Sequence, residues 1–240
     1  MKYNDQSIVG QIVANDYRAA SVFKNSGIDF CCQGNRTLED ACTKAGMNSS
    51  ELLESLEQIN IPVKSNEANY DSWPLDLLAD YVEKKHHRYV NQKSVEIKPF
   101  LDKICLVHGK AHPELIEIKK EFEESVGELA MHMKKEELIL FPIIRKLVAA
   151  ENEGGKMPQA AFGSVGNPIA KMQEEHEQEG ERFRRISTLS NSYTPPEDAC
   201  ATYKVTFAML QEFEEDLHLH IHIENNILFP KAIGLEKRFV

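Results

Sequence analysis

The sequence predicts an all-α protein, an up-down-up-down four-helix bundle preceded by a small helical domain. Three observations carry this. Apolar residues recur at helical spacing along four long stretches between residues 74 and 240. A His-x-x-x-Glu pattern occurs twice, as HMKKEELILFP at 132–142 and HIHIENNILFP at 220–230, each with the same Leu-Phe-Pro tail. Each long stretch also carries a histidine at a depth from which it can reach the bundle axis.

The composition bounds the problem. The chain of 240 residues has room for one large domain or two unequal ones, and 42% apolar residues suffice for a sizeable core. A formal net charge of −10, with no basic cluster, argues against nucleic acid or an anionic membrane as partner. The amino terminus lacks the apolar stretch of a secretory signal, and no run approaches the roughly 20 apolar residues of a membrane span. Five cysteines, an odd number, do not suggest a disulfide framework. A reduced, cytoplasmic location is expected.

Residues 1–62 read as a small helical, cysteine-containing domain. Ile8, Val9, Ile12 and Val13 form the first stripe. Asp16 is expected to cap a second helix ending at Gly27. Thr37 with Asp40 opens a third, which stops at Gly46. Asn48 with Glu51 opens a fourth, carrying Leu52, Leu53, Leu56 and Ile59. Four short helices make a marginal core, so this unit should pack on another surface, either the rest of the chain or a second chain. Its loop GIDFCCQGN places Cys31 beside Cys32. The bland interpretation is two small buried side chains at a bend; the sharper one is a redox or nitric-oxide-reactive thiol pair. Adjacent side chains are expected to diverge, which makes them a poor chelate for one ion. Cys42, Cys105 and Cys200 are scattered and default to packing.

A polar linker at 63–73 leads to Trp73-Pro74, a helix start with proline in the first turn. Helix one is expected over about 74–107 with Leu75, Leu78, Val82 and Tyr89 in its period, and Pro99 should kink or interrupt it. Helix two spans about 113–150 on a stripe of Leu115, Ile118, Phe122, Val126, Leu129 and Met133. A glycine-containing loop follows. Helix three spans about 168–189. Pro195-Pro196 opens helix four, which continues to about 232.

Each helix then offers one imidazole: His87, His132, His176 and His220. Helices two and four add Glu136 and Glu224, each four residues past a histidine and therefore on the same helix face. Four imidazoles and two carboxylates suit a pair of first-row metal ions. Iron fits best, because this ligand set accepts both ferrous and ferric states, whereas zinc favours four-coordinate single-ion sites. Each glutamate is expected to bridge the two ions, with two histidines on each, an oxo or hydroxo bridge between them and an open position for a small diatomic molecule.

A lone histidine on an amphipathic helix is more often a polar residue near the core edge than a ligand. The repeat overrides that for His132–Glu136 and His220–Glu224, and the four-helix count lifts His87 and His176. His86 rivals His87, from which it is turned by about 100°. His218 and His222 fall near the opposite face from His220 and are expected to be surface or supporting groups. His108 and His112 flank a turn and carry no constellation. The KKEE and EFEED runs read as solvated faces apart from Glu136. Pro142 and Pro230 should bend their helices just past the site, and Phe141 should wall the open position from water.

Taken together, DFCCQGNRTLEDAC, HHRYV, HMKKEELILFP, EEHEQEG and HIHIENNILFP, in that order, resemble the iron-sulfur cluster repair di-iron proteins, the repair-of-iron-centres family, over nearly the whole chain. The resemblance implies a short cysteine-containing domain followed by a hemerythrin-like domain. It implies that His87, His132, Glu136, His176, His220 and Glu224 bind two iron ions, with His86 beside His87 leaving the first ligand ambiguous by one residue. It also implies a cytoplasmic homodimer that acts on proteins with damaged iron-sulfur clusters and meets the diatomic ligands NO and O2. The expected mechanism is iron supply, reaction with nitric oxide, or both, with Cys31 and Cys32 receiving nitric oxide or serving in docking. Two alternatives belong to other classes: a nitric oxide reductase, and a hemerythrin-like dioxygen-binding or sensing module. The second needs a further histidine ligand, for which the sequence offers no clear candidate.

Overall fold

The computed structural model describes residues 3–16, 18–59 and 69–239. Among them the regular structure is helical, with one isolated antiparallel bridge between Ile8 and Thr37. The small amino-terminal unit comprises α1 (Val9–Asn15), α2 (Ala19–Asn25), α3 (Leu38–Ala45) and α4 (Ser49–Ile59). The Thr37 hydroxyl accepts from the Asp40 amide and caps α3, which ends on Gly46 at φ 68°. Asp16 does not cap α2. Its carboxylate instead holds the amide and guanidinium of Arg18, and the helix starts at Ala19. The linker expected at 63–73 lies outside the described residues as far as 68, as does the side chain of Ile59 from the fourth stripe.

The bundle is built of four rods. The first is α5 (Leu75–Tyr81), a π-turn (Val82–His87) and α6 (Arg88–His108). The second is α7 (Glu114–Lys135), a π-turn (Glu136–Leu140) and α8 (Phe141–Glu153). The third is α9 (Gly166–Leu189); the fourth is α10 (Ala201–Ile223), a π-turn (Glu224–Leu228) and α11 (Phe229–Glu236). Around the axis, α6 packs on α7 and α10, and α9 closes the ring against the same two helices. The stripe expected of helix two is buried at Leu115, Ile118, Phe122, Leu129 and Met133. No described helix is long and apolar enough to cross a membrane.

Two helix boundaries expected at prolines fall elsewhere. Pro99 does not interrupt α6. It sits on the exposed face, where the carbonyl it leaves unbonded can be hydrated. The pair Pro195-Pro196 does not open the fourth rod; it lies in the preceding loop, and α10 begins after Cys200.

Pro142 and Pro230 each follow a π-turn. Proline has no N–H and its ring crowds the carbonyl four residues back, so the turn before it opens. The Phe141 amide bonds the Glu136 carbonyl, five residues earlier, and the Phe229 amide bonds that of Glu224. The shared Leu-Phe-Pro tail thus produces the same local distortion twice.

Among the described residues the apolar core falls into two clusters, and the sites of interest lie where one gives way to the other. Along the first rod Val82 belongs to one cluster and Val90 to the second. The changeover falls between Met133 and Leu140 on the second rod, Met172 and Phe183 on the third, and Ile221 and Ile223 on the fourth. A polar layer therefore crosses the bundle at one height on all four rods.

Candidate metal centre

All six residues singled out from the sequence meet in that layer. His87, Glu136, His220 and Glu224 form one group, and His132, Glu136, His176 and Glu224 a second, with the donor atoms of each group within 4.8 Å of one another. Both glutamates belong to both groups. All six side chains are buried, Glu136 and Glu224 completely.

The close contacts converge without being hydrogen bonds. His87 Nε2 lies 3.3 Å from Glu136 Oε2, and His132 Nε2 3.3 Å from Glu136 Oε1. His176 and His220 each bring Nε2 to 3.2 Å from Glu224 Oε2. Yet all four carboxylate oxygens, and Nε2 of His87 and His220, lack an aligned hydrogen-bond partner among the described residues. Buried carboxylate oxygens left so are expensive, unless they share a cation. The residues present therefore fit a metal-binding site, and oxygen and imidazole donors suit first-row divalent ions.

The outer nitrogens are fixed from behind. His87 Nδ1 donates to Glu137 Oε1 at 2.9 Å, His132 Nδ1 to Glu175 Oε2 at 2.9 Å, and His176 Nδ1 to Asn225 Oδ1 at 2.9 Å. Each such bond sets the tautomer that turns the Nε2 lone pair inward. Against burial, which disfavours charge, Glu136 and Glu175 hold the His132 imidazole up at about 10. Glu175 is held down at about 2, chiefly by its bond from His132. Despite its burial, Glu224 is held well below the usual carboxylate range by His220 and His176. Protons and metal ions compete for the same nitrogens.

These supporting groups were missed in the sequence. Glu137 and Asp216 sit in the KKEE and EFEED runs, which read as solvated faces; the structure half-buries both, and Glu214 of the second run is buried. His86 and His87 are both buried, because the π-turn at 82–87 widens the helix just there. His87 joins the ligand groups and His86 belongs to neither. His86 stacks on His220 with ring centroids 5.5 Å apart, and Asp216 Oδ2 accepts its Nδ1–H at 3.0 Å.

Of the two places expected for His218 and His222, surface or supporting, the structure rules out the open surface. Their face of α10 is covered by the amino-terminal unit, whose Phe30 meets the His218 ring at 6.3 Å and that of His222 at 5.9 Å. Nor do Cys31 and Cys32 diverge. Asp29 Oδ1 accepts the amides of Cys31 and Cys32 at 3.0 and 2.9 Å, which folds the loop and leaves the two sulfurs 3.8 Å apart. His108, expected to stand alone, reaches Cys200 Sγ at 3.2 Å beyond the far end of the rods.

Phe141 stacks on His87 at 5.8 Å and Phe229 on His176 at 6.0 Å, so each Leu-Phe-Pro tail walls one imidazole. A cleft of about 170 Å³ opens between α7 and α9 onto His132 and His176.

Comparison with known proteins agrees with this arrangement. Residues 5–60 match ScdA_N, described as a domain of unknown function, and residues 79–232 match the hemerythrin HHE cation binding domain. The iron-sulfur cluster repair protein YtfE of Musicola paradisiaca is 32% identical over 97% of this chain and 98% of its own length. A probable iron-sulfur cluster repair protein of Haemophilus influenzae is 32% identical over 90% of this chain and 92% of its own. The repair protein ScdA of Staphylococcus epidermidis is 28% identical over 95% of this chain and 98% of its own.

Proposed function

We propose, from the premise that this chain belongs to the family of iron-sulfur cluster repair proteins with a hemerythrin HHE domain, that it binds two iron ions and helps restore damaged iron-sulfur clusters. The observation that carries the two-ion reading is the sharing of Glu136 and Glu224 by both ligand groups. His87 and His220 would hold one ion and His132 and His176 the other, with Glu136 and Glu224 within reach of both.

When bound, the ions supply one-electron redox chemistry and a position for a diatomic ligand such as nitric oxide. The protein's own residues do the rest. Glu137, Glu175 and Asn225 orient three imidazoles, and Phe141 and Phe229 each cover one face of an imidazole, at His87 and His176. The Glu136 and Glu224 carboxylates would hold ferrous iron less tightly than a thiolate cage, which would favour its release to a damaged cluster. The cleft at His132 and His176 provides the route on that side. The clients are proteins with damaged clusters, and a cytoplasmic homodimer is the form proposed.

The test is recovery of an iron-sulfur enzyme after peroxide or nitric oxide damage. Iron-loaded protein should restore activity, and protein lacking Glu136 and Glu224 carboxylates should not. Equal recovery with both would contradict the proposal.

A further inference from the structure

His176 is gripped twice by the amino-terminal unit. Its ring is held by Asn225, whose amide nitrogen in turn donates to the Cys31 carbonyl at 3.4 Å. Its backbone carbonyl accepts the Cys32 S–H at 3.2 Å. Asn226, one residue on, donates to the same Cys31 carbonyl at 3.3 Å. A Cβ on Gly10 or Gly34 would collide with the Asn226 side chain, so both glycines are needed for this seat. On α9, a Cβ on Gly180 would lie 3.0 Å from the Cys32 sulfur. Asp29 closes the loop onto α9 through Arg184 at 2.7 Å.

The Cys32 thiol is also reachable. Cys31, Cys32, Asn225 and Asn226 line an open cleft of about 210 Å³. Cys32 is half-buried and Cys31 buried. Cys32 is therefore the sulfur that an incoming reagent meets first.

We propose that Cys32 is a modification site for low-molecular-weight disulfides, and that its thiol state controls retention of the metal ion on the His132–His176 side. The inference rests on the two-iron reading above. The Cys32 thiolate, its proton lost to solvent, attacks a disulfide R–S–S–R. One S–S bond forms, the old one breaks, and RS⁻ leaves and takes up a proton. Cys31 then displaces the second R–S group in the same way, leaving a Cys31–Cys32 disulfide and two RSH. Both thiols are oxidised and the small disulfide is reduced. The Cys32 S–H donor to His176 is gone after the first step. The second step pulls on the Cys31 carbonyl that anchors Asn225, and His176 loses both holds.

The test uses the full chain, loaded with ferrous iron without oxygen and then challenged with a chelator, with retained metal counted by plasma mass spectrometry. Oxidised glutathione is the disulfide probe, and peptide mass verifies the 31–32 linkage. The oxidised protein should shed one of its two ions at least about tenfold faster than the reduced protein, the scale set by losing an outer partner of a metal-bound histidine. Cys32→Ser keeps an O–H donor and cannot exchange, so it should retain both ions in oxidant. Gly180→Ala favours the helix yet displaces the sulfur; fully reduced, it should shed the same ion faster than wild type.

Wild-type release rates in both the oxidised protein and Gly180→Ala would overturn the inference while leaving two-iron binding intact. So would an oxidant response undiminished in Cys32→Ser. Failure of the reduced wild type to bind two ions would overturn the inference together with the reading beneath it.

Discussion

His132 and His176 bring their Nε2 atoms to 3.0 Å from each other across α7 and α9. That is about the separation of two neighbouring nitrogen ligands, each roughly 2.1 Å from a common ion. Both Nδ1 atoms are already engaged by Glu175 and Asn225. The two rings thus point at a common position, and the geometry separates the contributions of the six residues.

Glu136 and Glu224 each belong to both ligand groups. Glu136→Ala or Glu224→Ala should therefore abolish binding of both ions. His87→Ala or His132→Ala should weaken one ion and leave the other, since each belongs to a single group. Metal counts per chain, with helix content checked by circular dichroism, distinguish the two patterns.

His86 and His87 are separable by the same count. His87 belongs to a ligand group and His86 to neither. His86→Ala should keep two ions per chain. Loss of an ion in His86→Ala with retention in His87→Ala would reverse the assignment.

Phe141 is fully buried and stacked on His87. Phe141→Ala should lower stability by about 3–5 kcal/mol in urea unfolding. It should also speed metal loss or autoxidation at the His87 side; unchanged kinetics would mean the ring is only packing.

Glu214 gives the chain a pH dependence of its own. Burial raises its carboxyl to about 7, against the opposing pull of Lys24 and Tyr193. Between about 4.5 and 7 the folded state therefore binds a proton that the unfolded state has lost, and stability falls as pH rises through this window. Glu214→Gln removes the effect. It should be more stable than wild type at pH 8, by on the order of 3 kcal/mol at about 1.36 kcal/mol per pH unit. Below pH 4.5 the advantage should vanish. A constant difference across the range would exclude Glu214 as its source.

What could be read in the sequence was what repeats. The doubled His-x-x-x-Glu with its Leu-Phe-Pro tail located Glu136 and Glu224, because two copies at helical spacing constrain each other. The apolar stripe of Leu115 to Met133 located the second rod in the same way. The supporting groups carry no such signal. Glu137 follows two lysines and a glutamate and looks solvated; only the register of the π-turn turns it to His87. Cys31 and Cys32 converge because Asp29 folds their amides around one oxygen, a tertiary detail that adjacency in the chain does not disclose. Sequence alone leaves His222 between a surface and a supporting place, because the Phe30 that covers its face of α10 lies almost two hundred positions earlier.

The most direct test of the central claim is metal content together with an optical spectrum, on protein purified without added metal. Two irons per chain, with ligand-to-metal charge-transfer bands of a histidine- and carboxylate-bound ferric pair, is the predicted result. A zinc-loaded chain, or a metal-free one that still takes up no iron, would contradict it.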